Sequence, residues 1–147
     1  MGAYRHILLA VDYSEHGGTV ARRAKELAEK YQAKLSIIHV LDNIPMPDTG
    51  YGTVIPLTED SGYELLEAEK VRLMQIGDQL GVAQANRWMV WGAPKQEIVQ
   101  FAEREQADLI VVGSHGRHGL SLLLGSTANS VLHYAGCDVM AIRLLDS

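Results

Sequence analysis

Short runs of consecutive apolar residues alternate along this chain with longer stretches in which apolar residues recur every three or four positions. The short runs are typical of strands buried on both faces of a parallel sheet, and the longer stretches are typical of amphipathic helices. Strands and helices therefore alternate, which predicts an α/β domain with a doubly wound parallel sheet and helices on both faces. The five expected strands are His6–Val11, Leu35–Val40, Asn86–Val90, Leu109–Gly113 and Val139–Leu144.

Four helices are predicted between these strands. Gly81 marks the end of the second helix, since glycine is common just beyond a helix end, and Pro94 takes the first position of the third helix. The expected helices run from Ser14 to Tyr31, from Thr58 or Ser61 to Leu80, from Pro94 to Glu105 and from Ala128 onward. The stretch Leu41–Asp60 contains three prolines together with apolar residues such as Ile55 and Leu57. We expect it to be functional or a lid, packed on another surface and not extended into solvent, so that it covers either the crevice or a partner's surface.

The order of the strands follows from the handedness of their connections. Right-handed crossovers leave few arrangements for five parallel strands, and 3-2-1-4-5 is the natural one. This order places the first and fourth strands side by side where the winding reverses, and ligands of open α/β sheets bind in the crevice at that point. The first strand leads into Asp12 and the fourth ends at Gly113. The polar signals of both strands therefore converge on one crevice.

The stretch Leu109–Val131 carries the strongest chemical signal in the chain. A buried strand is followed by a turn with Gly116 and Gly119, then by Gly125, two hydroxyl residues and a helix. Glycine lets an anion approach the backbone closely, and a helix start carries unpaired N–H donors and a partial positive charge. Such a stretch suits a phosphate group, although a glycine turn alone also occurs as a plain strand-to-helix connection.

These features together resemble the universal stress proteins over essentially the whole chain. The resemblance rests on HILLAVD at the start, IIHV in the second strand, DLIVVGSHGRHG around the fourth strand, the glycine–serine pair at 125–126 and the closing strand. It implies the same five-stranded fold, a homodimer paired through the last strand (Val139–Leu144), and, in many members, binding of ATP or AMP.

The resemblance also implies roles for individual residues. Ala10, Val11 and Asp12 would line the adenine and ribose side, with the Asp12 carboxylate near the sugar or a bound magnesium ion. Val40 would offer backbone groups to the adenine edge. The ribose would be flanked by Val112 and Gly113, and the phosphate would be held by Gly116, Gly125, Ser126 and Thr127, with Arg117 as a further contact.

One spacing departs from the nucleotide-binding pattern. Eight residues, Arg117–Leu124, separate Gly116 from Gly125, one fewer than that pattern has. The shorter turn resembles the branch of the family thought not to bind ATP, yet that branch tends to replace the glycines that this chain keeps. A monophosphate such as AMP demands less of the turn than ATP does.

The amino-acid composition limits the classes of partner that the protein is expected to bind. The chain has 147 residues, 47% of them apolar, which is the size and character of a single domain, 1–147. A net charge of −5 argues against nucleic acid as the main partner, and no apolar run is long enough to cross a membrane. The single cysteine, Cys137, excludes an internal disulfide. A reducing, cytoplasmic setting is the simplest interpretation.

Metal and enzyme chemistry are less well supported. His115, His118 and His133 have no carboxylate or cysteine at matching spacing, so we expect no metal centre. His39 lies within an apolar strand and is expected to be a core or crevice residue. No lysine follows the glycines as in a Walker motif, and no nucleophile has a supporting context. At most, slow ATP hydrolysis or self-phosphorylation at Ser126 or Thr127 is expected.

We therefore predict a stress-response protein that binds an adenine nucleotide at the switch point and acts as a regulator or sensor. The rival from another class is a dimeric interaction protein whose crevice takes no nucleotide, and a slow ATP hydrolase or autokinase is the third alternative.

Overall fold

The computed structural model describes residues 4–11, 17–41, 54–57, 64–113 and 126–142. Five strands and four helices alternate along them. In chain order they are β1 (His6–Ala10), α1 (Gly17–Tyr31), β2 (Lys34–Leu41), α2 (Glu64–Leu80), β3 (Arg87–Trp91), α3 (Pro94–Arg104), β4 (Leu109–Gly113), α4 (Ser126–Tyr134) and β5 (Asp138–Ile142). All five predicted strands are present.

The strands form one parallel sheet in the order β3-β2-β1-β4-β5, as predicted. Side chains alternate between its two faces, because successive residues of a strand point in opposite directions. On one face, Ile7 and Leu9 of β1 pack with Ala24 of α1 and Leu73 of α2. On the other face, strand residues such as Leu8 belong to the cluster formed by Phe101 of α3 and Val131 of α4. Both faces are therefore covered by helices.

The boundaries differ from the predictions by a residue or two at several element ends: β1 ends at Ala10, β2 runs from Lys34 to Leu41, β3 ends at Trp91, α3 ends at Arg104 and β5 begins at Asp138. The third strand begins at Arg87 and not at Asn86, because Gln84–Asn86 form a 3-10 turn whose last amide donates to the Ala83 carbonyl at 2.9 Å. The last helix begins at Ser126, two residues before the predicted start. The last strand is described to Ile142, and the predicted residues 143–144 lie outside the described residues.

Part of the long stretch after β2 extends the sheet. Val54 forms an antiparallel bridge with Val90, and the Ile55 amide donates to the Met89 carbonyl at 2.8 Å. Ile55 is buried, and Leu57 packs against the same core. The prediction that the stretch packs on another surface is confirmed for these residues, and that surface is the outer edge of β3 in the same chain. The remainder of the stretch lies outside the described residues.

Candidate functional site

The crevice at the switch point is built from the carboxyl ends of β1 and β4. Leu9 lies opposite Val111 in the register of these two strands, so Ala10 and Val112 follow as neighbours one residue further along. Ala10 and Gly113 are half-buried at this edge, whereas the Val112 side chain is buried in the second core. The structure therefore brings Ala10, Val112 and Gly113 together, with small residues where the two strands end.

The end of β2 forms the neighbouring wall. The Val40 side chain is buried on the same face of the sheet as the Val112 side chain. The part of Val40 that lies along the strand toward the carboxyl edge is therefore its backbone. The Leu41 carbonyl accepts the Gly92 amide at 3.0 Å, which closes the pairing between β2 and β3 at their last residues. The backbone around Val40 is thus paired with β3 up to the carboxyl ends of both strands.

Val11 continues β1 beyond its last strand residue and is anchored to β2. Its amide donates to the Ile38 carbonyl at 2.8 Å, and its carbonyl oxygen lies 3.4 Å from Nδ1 of His39. The other ring nitrogen of His39, Nε2, lies 3.4 Å from Oε2 of Glu69 on α2. Sequence reasoning named His39 as a core or crevice residue, and the structure places it beside the end of β1. It missed Glu69, for which the sequence carries no local signal.

The start of α4 lies on the face of the sheet that also holds Val40 and Val112. Ala128 and Val131 are buried in that core, and Thr127 in the first turn is half-buried. The first turn of a helix has N–H groups without partners inside the helix, so this end of α4 can receive an anion. Four predicted site residues, Asp12, Gly116, Arg117 and Gly125, lie outside the described residues, as does the side chain of Ser126.

A second polar group, the carboxyl group of Glu97, lies at the same edge of the sheet, where β3 leads into α3. Gly92 has φ +149°, and a Cβ added there would lie 2.6 Å from Cγ of Glu97. Glu97 is only 9% exposed, and burial raises the pKa of its carboxyl group, although Arg104 acts in the opposite direction. Sequence reasoning identified Pro94 as a helix start but missed Glu97.

The amino ends of the strands carry a different polar cluster. The ring nitrogens of His6 lie 2.8 Å from the Ser36 hydroxyl and 3.1 Å from the Glu105 carbonyl oxygen. Asp108 accepts the backbone amides of Arg5 and His6 at 2.9 and 3.0 Å. Burial lowers the pKa of His6. These contacts join β1, β2 and the end of α3 at the edge opposite the crevice. We therefore assign them a role in stabilising the fold.

Comparison with known proteins identifies the family. The model of the universal stress protein family matches residues 3–143. The chain is also 38% identical to "Universal stress protein A homolog 2" of Coxiella burnetii over 149 aligned positions, covering 100% of both chains.

The chain belongs to the universal stress protein family.

Solved structures of family members share its fold. The UspA protein of Lactobacillus plantarum superimposes with a TM-score of 0.72 at 29% identity, covering 97% of this chain and 100% of the other. A universal stress protein in complex with cAMP superimposes with a TM-score of 0.71 at 23% identity, covering 97% of this chain and 98% of the other. At that identity the second likeness concerns the fold alone.

The described residues also bear on metal binding and on membrane spanning. Within residues 4–11, 17–41, 54–57, 64–113 and 126–142, no three His, Cys, Asp or Glu residues are grouped so as to hold a metal ion. His133, one of the histidines considered from the sequence, stacks edge-on against Tyr134 at 4.7 Å, and burial raises the pKa of the Cys137 thiol. None of the helices in the described part of the chain is long and apolar enough to span a membrane.

Proposed function

We propose that this universal stress protein binds an adenine nucleotide at the switch-point crevice and acts as a regulator or sensor in the cytoplasm. The observation that carries the proposal is the meeting of the ends of β1 and β4 at Ala10, Val112 and Gly113. Small residues there leave room for a flat ring and a sugar, and ligands of open α/β sheets bind at this point. Support comes from the family and from the neighbour of the same fold that holds cAMP.

Each part of the nucleotide has its own proposed contacts. Val11, with Asp12 beyond it, serves the adenine and ribose side, and the backbone at Val40 reads the adenine edge. The phosphate is received by Ser126, Thr127 and the glycines at 116 and 125, with Arg117 as an added cation. The reason for the last group is physical: unpaired N–H groups at the start of α4 and the helix dipole both favour an anion. A magnesium ion, where one accompanies ATP, would lie at the Asp12 carboxylate.

A second proposal concerns assembly. β5 ends the sheet, and its residues Val139, Met140 and Ala141 are half-buried in the single chain. An edge strand with apolar side chains invites pairing with another chain, and a second copy of this chain is the proposed partner. Light scattering should give twice the mass of the chain, and Val139→Lys should shift that equilibrium toward the single chain. A wild-type protein that stays monomeric at high concentration would contradict the dimer.

The shortened turn Arg117–Leu124 favours a second candidate, an interaction protein that takes no nucleotide. Calorimetric titration of the full chain with AMP, ADP and ATP, with and without magnesium, separates the two. We expect binding, with AMP tolerated best by the short turn. Gly116→Val should abolish it, whereas Gly136→Val should leave it unchanged, because Gly136 lies before β5 with nothing within 4 Å of an added Cβ. Equal affinity in both variants would remove the phosphate assignment, and no binding by the wild type would favour the interaction protein.

A further inference from the structure

The start of β1 is joined to the turn between α3 and β4 through one residue, His6. Its amide donates to Oδ1 of Asp108 at 3.0 Å, and its carbonyl oxygen accepts the Asp108 amide at 2.9 Å. The ring nitrogen Nδ1 lies 3.1 Å from the Glu105 carbonyl oxygen, and Nε2 lies 2.8 Å from the hydroxyl group of Ser36 on β2. The backbone and the ring of His6 therefore hold three parts of the fold together at the amino edge of the sheet.

The two partners of the ring decide where its hydrogen lies. A backbone carbonyl oxygen only accepts hydrogen bonds, so the contact with Glu105 is attractive when Nδ1 carries the hydrogen. Nε2 of the neutral ring then has a lone pair, which accepts the hydroxyl hydrogen of Ser36. His6 is 7% exposed and Ser36 is 2% exposed. This arrangement gives both buried side chains hydrogen-bond partners, as polar groups in a core require.

A second hydrogen on the ring disturbs this arrangement. Nε2–H would have to donate to the Ser36 oxygen, so the hydroxyl hydrogen would turn away, and in the described part of the chain that hydroxyl has no other hydrogen bond. Burial of the added charge is unfavourable and lowers the pKa of His6, and Lys34 on β2 acts in the same direction. The hydrogen bond to the Glu105 backbone and the negative charges of Asp108 and Glu105 act in the opposite direction. The neutral ring therefore fits the closed fold better than the charged ring.

We propose that His6 and Ser36 form an acid-sensitive contact, which holds the start of β1 in the sheet at neutral pH and releases it when Nε2 takes up a proton. The proton comes from solvent, and the charged ring is better solvated outside the core. The release is a local opening of the amino edge. It gives this stress-family chain a response to acid at the edge opposite the proposed nucleotide site, so either proposal stands if the other fails.

Amide hydrogen exchange, followed by NMR on the full chain without nucleotide, measures the opening. The amides to follow are those of Lys34 and Asp108, which donate to the carbonyl groups of Arg5 and His6. In the open state the ring titrates with its ordinary pKa of about 6.5, so lowering the pH from about 7.5 to about 5.5 raises the open population by up to about tenfold. We expect the protection factors of both amides, which are corrected for the intrinsic exchange rate at each pH, to fall by that factor or less.

Urea distinguishes local release from global unfolding. Exchange through global unfolding accelerates when a low concentration of urea is added, whereas exchange through a small local opening does not. At the acidic pH we expect exchange of the Lys34 and Asp108 amides to be insensitive to urea. Acceleration by urea to the same extent as the slowest core amides would overturn the local release.

Two variants assign the response to one histidine. His6→Gln keeps a polar side chain that can reach Ser36 but does not titrate, so its protection factors should be equal at the two pH values. His133→Gln is the matched control, because His133 is exposed near the end of α4, and it should keep the pH dependence of the wild type. A pH dependence that persists in His6→Gln, or a wild type that shows none, would overturn the proposal.

Ring nitrogen shifts of the wild type give a readout that needs no variant. At neutral pH we expect Nδ1 of His6 to carry the hydrogen and Nε2 to carry none. A hydrogen on Nε2 at that pH would mean that Ser36 is not the donor, and the proposed contact would be wrong even if His6→Gln failed to fold.

Discussion

Replacing Gly77 with alanine should destabilise this protein, although alanine normally strengthens a helix. Gly77 lies in the buried stripe of α2, directly against the side chain of Arg87. An added Cβ would lie 2.3 Å from Nε, 2.6 Å from Cζ and 2.7 Å from Cδ of that arginine. The guanidinium group must therefore move. Its neighbours decide what that movement costs.

The Arg87 side chain is 5% exposed and is held by several backbone acceptors. Nε and Nη2 donate to the Val82 carbonyl at 3.0 and 2.6 Å, and Nη1 donates to the Met74 carbonyl at 3.3 Å. Nη1 also lies 3.0 Å from Oδ1 of Asp78. Breaking the hydrogen bonds of this charged donor costs about 3–4 kcal/mol in all, since buried acceptors are left behind. Alanine has a higher helix propensity than glycine, and this offsets about 1 kcal/mol of the lost stability.

The net loss is then about 2–3 kcal/mol, which corresponds to about 5–10 °C in Tm for a chain of this size. Thermal unfolding followed by circular dichroism measures it. Gly18→Ala is the matched control, because Gly18 is exposed in α1 with nothing within 4 Å of an added Cβ. That variant should be as stable as the wild type or slightly more stable.

A double-mutant cycle tests the cause directly. In an Arg87→Ala background there is no guanidinium group to displace, so Gly77→Ala should become stabilising by up to about 1 kcal/mol. If Gly77→Ala has the same effect in both backgrounds, the clash with Arg87 is not the cause and the reasoning fails.

Three further predictions concern acid stability, backbone strain and ligand binding. Burial lowers the pKa of His6 below its ordinary 6.5, so the unfolded chain takes up the proton first and stability falls as the pH drops below about 6.5. His6→Gln should flatten the dependence of the free energy of unfolding on pH between neutral and mildly acidic conditions, and an unchanged slope would rule His6 out. Gly92→Ala combines an unfavourable φ with contact against Glu97 and should lower Tm by several degrees; a Tm equal to that of the wild type would show that the backbone relaxes there. Thr127→Val, measured by calorimetry, should weaken AMP binding about tenfold by removing a hydroxyl donor, while Asn129→Ala, at an exposed position two residues further along the same helix, should not; equal affinities would remove Thr127 from the site.

The fold was predictable because its main determinants are local. Consecutive apolar residues identified each strand of a sheet covered on both faces, and Pro94 and Gly81 marked a helix start and a helix end that the structure confirms. Two other helices are followed by glutamines with positive φ, Gln32 at 53° and Gln106 at 58°. No glycine marks these two helix ends in the sequence. The glutamines adopt a backbone conformation that their local preference disfavours, and the surrounding fold imposes it.

The candidate site was predictable only where it is backbone. Ala10, Val112 and Gly113 lie together because they end the first and fourth strands, which the predicted strand order places side by side. Side-chain partnerships across the sequence did not follow from it. Glu69 occupies one of many polar positions on α2, and only the packing of that helix on β2 brings it to His39. Arg87 was expected in a strand, but its burial depends on hydrogen bonds to the carbonyl groups of Met74 within α2 and of Val82 just beyond it.

The most direct test of the account is an NMR titration of the isotopically labelled full chain with AMP and with ATP and magnesium, following every backbone amide. We predict saturable shifts at the carboxyl edge of the sheet, at Val11, Val40, Gly113 and Thr127, with amides near His6 at the opposite edge unchanged. Shifts centred on that opposite edge, or none at millimolar nucleotide, would contradict nucleotide binding at the switch point.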